Sequence, residues 1–168
     1  DAHLLMVNAL YSPERSGAEH RRLLDRITEL GLGDRVTLIT DFLPEEVCVT
    51  LLKTADLVVF PYQRTEESSS AAVRMALVAN CPTAVTPLPI FADVAAAVST
   101  LPGTDPGSLA AGIDTLLTAL KDADTRAAAC ARAASFVAER DAALLSRRLR
   151  GLLRGACNHV SVEAEATC

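Results

Sequence analysis

The residues best suited to chemistry lie in one segment, Pro61-Tyr-Gln-Arg-Thr-Glu-Glu-Ser-Ser-Ser70, between an apolar run and a helix-compatible stretch. Ser68, Ser69 and Ser70 are small and polar and stand where a helix should begin. The first N–H groups of a helix have no intrahelical partner, and its dipole is positive at that end, so an anion such as a diphosphate can dock there. Arg64 adds charge and a planar fork that matches a phosphate. The Gln63 amide both donates and accepts, as a sugar or a base requires. Glu66 and Glu67 can accept hydrogen bonds from sugar hydroxyls. A purely structural reading stands beside this one: serines cap helices routinely, and acidic residues ahead of a helix stabilise its N-terminus.

Other chemistries have less support. The three histidines, His3, His20 and His159, are far apart in the chain, and no Gly-x-Ser-x-Gly elbow accompanies them. No Gly-x-Gly-x-x-Gly or P-loop pattern follows an apolar run. Asp122-Ala-Asp124 has the spacing of a metal-gripping pair but falls at a helix start, where aspartates cap. Cys157, His159 and Cys168 match no standard zinc spacing. No metal or other cofactor is expected.

These side chains need a frame. His3–Asn8 is a continuous apolar run that reads as a buried strand. Ser16-Gly-Ala-Glu19 reads as a capping box that opens a helix burying Leu23, Ile27 and Leu30 and closing near Gly31. Arg35–Ile39 is the next strand. Pro44, with Glu45 and Glu46, starts a helix that closes near Thr54. Leu57–Phe60 is a third strand, β-branched as when both faces are covered. The serines then cap a helix to about Ala79, with Asn80 in a left-handed stop and Pro82 beyond it. Thr83–Thr86 is a fourth strand, followed by a turn at Pro87–Pro89, a short helix at Phe91–Val98 and a fifth strand at Ser99–Leu101. Asp105-Pro106 starts a helix with Leu109, Ile113, Leu116, Leu117 and Leu120 on one face. Two further helices cover Asp124–Arg140 and Asp141–Arg154, and Gly155–Cys168 reads as a tail. Strands alternating with helices predict an α/β fold with a Rossmann-like, doubly wound parallel sheet. Its ligands should sit at the carboxyl ends of the strands.

Composition removes whole classes. Sixteen Lys and Arg against 21 Asp and Glu leave a formal charge of −5. Nucleic-acid binding calls for the opposite sign, so no nucleic-acid partner is expected. Met75–Phe91, the longest uncharged stretch, holds three prolines and is no spanning helix. No charged, apolar, small-residue series resembling a signal peptide opens the chain. Five cysteines without a Cys-x-x-Cys spacing suit a reduced, cytoplasmic setting, with Cys48, Cys81 and Cys130 as small buried hydrophobes.

From about Leu4 to Leu120 the chain resembles the C-terminal, donor-binding domain of family 4 glycosyltransferases, retaining enzymes of the GT-B fold. The likeness rests on Leu30-Gly-Leu-Gly-Asp-Arg-Val36, Pro44-Glu-Glu46, Ala55-Asp-Leu-Val-Val-Phe-Pro61 and Ala76-Leu-Val-Ala-Asn-Cys-Pro82, in that order. It implies transfer of a hexose-like sugar from a nucleotide-activated donor in glycan or polysaccharide biosynthesis. By the same resemblance Glu67 lies close to the transferred sugar, and Ser68–Ser70 occupy the positions whose backbone approaches the diphosphate. The family's second glutamate, which holds the ribose, falls on Met75. That contact is then either lost, replaced by Arg74 beside it, or supplied elsewhere. The resemblance further implies a first βα unit and an N-terminal acceptor domain that this sequence does not include, so transfer by this chain alone is not expected.

The expected organisation is a donor-binding domain over residues 1–155 and a disordered tail over 156–168. The alternative is a non-catalytic binding or scaffold module derived from such an enzyme. The helix Asp141–Arg154 opposes Leu145, Leu149, Leu152 and Leu153 to Arg147, Arg148, Arg150 and Arg154. It reads either as a solvated face with a packed leucine stripe or as a peripheral contact with the inner face of a membrane.

Overall fold

A computed structural model describes residues 2–165, with the side chains of residues 13, 15 and 154–165 outside the description. The chain forms two compact units, Asp1–Cys48 and Val49–Cys168. Strands and helices alternate as expected, and every strand pair is parallel. The ladders form two sheets: β1 (Leu4–Val7) with β2 (Val36–Ile39), and β3 (Val58–Phe60), β4 (Thr83–Val85) and β5 (Ser99–Thr100) in that order.

In the first unit β1 and β2 are joined through α1 (Pro13–Glu29). The helix starts three residues ahead of the expected Ser16. Proline presets the helical φ at a first-turn position, and the Ser16 hydroxyl accepts the N–H of Tyr11 at 3.0 Å. Ser16 therefore lies inside the first turn, and the expected capping box does not start the helix. Gly31 stops the chain at φ +64°, which glycine adopts without strain. Helix α2 (Glu45–Lys53) begins after Pro44, whose carbonyl accepts from Val47 and Cys48.

The second unit holds the core. Val73 and Leu77 of α3 (Ala71–Val78) pack with Val85, Ile90, Phe91 and Val94 and with Ala133 and Phe136 of α5 (Ala123–Glu139). Residues i and i+4 share a helix face, which is why Val73 and Leu77 are buried together. The short helix expected at Phe91–Val98 is a 3-10 turn at Pro89–Val94. Its start moves to Pro89 because proline suits a first helical position. Asn80 takes the left-handed stop at φ 57° and Asp105 caps α4 (Pro106–Ala119). Gly112 of α4 allows close packing: a Cβ there would lie 2.6 Å from the Pro102 ring.

Of the cysteines, Cys81 is buried, whereas Cys48 and Cys130 are only half-buried. The Cys81 thiol donates to the Ala55 carbonyl, and burial pushes its pKa up to about 11. Helix α6 (Ala142–Glu165) runs past Arg154, where the sequence suggested a tail. No proline follows Arg154 to interrupt the helical hydrogen bonds. Leu145, Leu149, Leu152 and Leu153 are exposed along it. Among the described residues no helix is long and apolar enough to cross a membrane.

Candidate functional site

The segment 61–70 leaves the carboxyl end of β3 and is held at both ends. At its start, the Thr86 hydroxyl donates to the Tyr62 carbonyl at 2.7 Å. Thr86 is fully buried just beyond β4, so this bond is shielded from water. The Tyr62 ring lies 5.3 Å from Phe91 and edge-on to Phe60 at 6.3 Å, arrangements that aromatic quadrupoles favour. At its end, buried Ser70 caps α3 by accepting from the Val73 N–H. The Tyr62 and Ser70 hydroxyls are 3.3 Å apart, which ties the two ends together.

Between these anchors the chain arches into solvent. Gln63, Arg64, Glu66, Glu67, Ser68 and Ser69 are all exposed. The arch has some internal order, since the Glu67 N–H donates to the Thr65 hydroxyl at 3.1 Å. Arg64 and Glu66 approach to 3.6 Å with side chains 88% and 91% exposed, a pair that water screens and that opens readily. The structure thus brings six of the eight sequence-predicted residues together on one exposed arch, with Ser70 at its base.

Arg74 is placed differently. It is on α3, half-exposed, with one terminal nitrogen donating to the Ser70 carbonyl at 3.2 Å and the other bound to the Asp93 carboxylate. Met75 is half-buried on the same helix, and α3 carries no carboxylate.

An exposed arch of donors, acceptors and charges above an N-terminal helix turn can hold a polar, anionic ligand. The arch was legible because its residues are contiguous. Its supports, Thr86, Phe91 and Asp93, were missed because they come from other segments. One further cavity was also missed. In the first unit about 330 Å³ opens at the carboxyl ends of β1 and β2, lined by Asn8, Thr40, Ser16, Glu19 and His20 among others. The only signal for it was the general rule that ligands sit at strand ends.

His3 bonds the Thr37 hydroxyl through its ring at 2.8 Å. Asp122 caps α5 by accepting from Thr125, and these hydrogen bonds hold its carboxyl below the usual range. Among the described residues no cluster of three or more His, Cys, Asp and Glu side chains is arranged to hold a metal ion. The Cys157, His159 and Cys168 side chains lie outside the described residues.

No protein-family model matches the chain, and no curated protein does. Solved structures do. Sucrose-phosphate synthase from Thermosynechococcus elongatus matches 92% of this chain and 39% of its own, at 23% identity and TM-score 0.69. HepE from Anabaena, solved in complex with UDP, matches 92% of this chain and 41% of its own, at 17% identity and TM-score 0.70. A C-terminal domain of a group 1 glycosyl transferase from Francisella tularensis matches 74% of this chain and 63% of its own, at 13% identity and TM-score 0.60. The chain spans about two fifths of the length of the first two. It therefore has the α/β fold seen in the C-terminal domain of GT-B glycosyltransferases.

Proposed function

We propose that this chain is the donor-binding part of a retaining, family 4 glycosyltransferase that moves a hexose-like sugar from a nucleotide-activated donor in glycan or polysaccharide biosynthesis. The observation that carries the reading is the arch Gln63–Ser69, fixed at Tyr62 and Ser70 above the first turn of α3. Solved structures of the same fold include one in complex with UDP. In this reading the backbone at Ser68–Ser70 and the start of α3 receive the diphosphate, and Arg64 leaves Glu66 to add a bidentate contact. Gln63 and Glu66 bond sugar or ribose hydroxyls. Glu67 lies against the transferred sugar, where a carboxylate stabilises positive charge developing at the anomeric carbon as the diphosphate departs. An acceptor domain outside this sequence completes the site, so the chain alone binds donor without transferring it. Cytoplasmic location, with α6 against a membrane face or a further domain, belongs to the same proposal.

Calorimetric titration with UDP and UDP-sugars tests it. Binding in the millimolar range or tighter is expected. Arg64→Ala should weaken both ligand types, and Glu67→Ala should weaken the sugar nucleotide more than UDP. Absence of binding at millimolar ligand, across several nucleoside diphosphates, overturns the reading.

A second reading, a non-catalytic module, draws on Met75 and the lack of any carboxylate on α3. Introducing Met75→Glu into the full-length parent separates the two. Increased transfer marks an impaired enzyme, and no transfer from either form marks a scaffold.

A further inference from the structure

The arch contains one exposed arginine, and a second lies just behind it. Arg64 is 88% exposed on its side chain and approaches Glu66 to 3.6 Å. The Arg74 side chain is 39% exposed, and both its terminal nitrogens are engaged by acceptors of the protein: the Ser70 carbonyl and Asp93. Those two acceptors belong to different segments. Ser70 is the residue where the arch becomes α3, and Asp93 lies in the 3-10 turn Pro89–Val94, 19 residues along the chain from Arg74. The same turn supplies Phe91 to the Tyr62 ring. One end of the arch is thus packed on this turn through Tyr62, and the other is tied to it through Arg74.

We propose that Arg74 is a positioning residue: with Asp93 it clamps the Ser70 carbonyl, and so the arch-to-helix junction, onto the Pro89–Val94 turn. What the arch then binds rests on the function proposed above, whereas the clamp does not. The charge balance supports the assignment. A diphosphate that recruited Arg74 would have to displace Asp93 and leave that carboxylate unpaired beside an anion. A pair left intact neutralises Asp93 and keeps the α3 N-terminus aimed at the arch. The guanidinium fork suits two acceptors in fixed directions, and a lysine's single ammonium serves them less well.

The test uses Arg74→Met, Asp93→Asn and the double variant, each followed by residue-resolved hydrogen exchange without ligand and by UDP titration. Because the pair is about 40% exposed on both sides, its loss should speed exchange of the Val73 and Glu67 amides by about 3- to 10-fold. Both single variants should do so, with the double variant no worse than either. UDP affinity should fall in parallel for both, while the melting temperature changes little. The clamp is overturned if Asp93→Asn leaves exchange and affinity unchanged while Arg74→Met weakens UDP binding, since that pattern marks direct ligand contact. It is also overturned if neither variant changes exchange at those amides. If the unaltered chain binds no nucleoside diphosphate, the proposed function fails, and the exchange data still decide the clamp.

Discussion

The two units meet the same demand, covering a parallel sheet, with unequal success. Among the described residues, every buried side chain is in the second unit, from Ser70 to Phe136. In the first, the strands are as apolar, yet Leu4, Leu5 and Val7 of β1 are exposed. Half-buried Met6, Val36, Leu38, Ile39, Leu23 and Ile27 are the apolar side chains that its two strands and one helix cover, and only partly. The difference shows how much a core depends on layers. Two strands and one helix cover one face of a sheet only partly, whereas a three-stranded sheet packed with α3, which packs in turn on α5, encloses side chains completely. The arch proposed to bind the donor stands on the enclosed core, where its supports cannot shift cheaply.

The contrast can be broken most directly at the core. Leu77 is 1% exposed, and Leu77→Ala should cost about 3 kcal/mol in urea unfolding, within the 2–5 kcal/mol of buried leucine truncations. Leu23→Ala in the first unit should cost about 1 kcal/mol or less, because half-buried atoms are already partly hydrated. Equal costs would remove the distinction. Native-state hydrogen exchange sharpens it: amides of β1 and β2 should exchange about 100-fold faster than those of β4, as regions with few buried contacts open locally.

Next in size is Thr86→Val, which withdraws the donor from the Tyr62 carbonyl and should cost about 1–2 kcal/mol. Faster exchange should follow around the arch and not in the first unit. A pH effect belongs to the second unit as well. The folded-state Cys81 thiol is raised from 9.0 to about 11, chiefly by burial. A raised pKa means the folded state holds its proton more tightly. Its contribution is therefore complete below pH 9 and lost as pH rises towards 11. Cys81→Ala should flatten stability over that window, read by thermal melts. The smallest effect is expected at Arg126, which bonds Asp56 at 2.9 Å with the aspartate largely exposed. Arg126→Met should cost under about 1 kcal/mol by that pair, and less in high salt.

Much of the fold was legible from local rules. A cap among Ser68–Ser70, a helix start at Asp105-Pro106 and a left-handed stop at Asn80 follow from local rules, and the structure has Ser70 and Asp105 as the caps and Asn80 at φ 57°. Ser16 misled because a serine three residues before a glutamate satisfies the capping pattern whether or not the helix has already begun, and Pro13 began it earlier. Beyond Arg154 the sequence has no apolar periodicity, yet α6 continues to Glu165. Hydrogen bonding along a helix needs no apolar pattern.

The candidate site divides the same way. The order of residues along the chain was enough to determine the alternation of strands and helices and the clustering of Gln63, Arg64, Glu66, Glu67, Ser68 and Ser69 at a helix start. Capping, turn chemistry and strand character act over a few residues, so they are written locally. Packing set the rest: which unit has an enclosed core, which arginine faces solvent, and which is tied to Asp93. Thr86 reaches Tyr62 across 24 positions and Arg74 reaches Asp93 across 19, so each pairing exists only once the chain has folded back on itself.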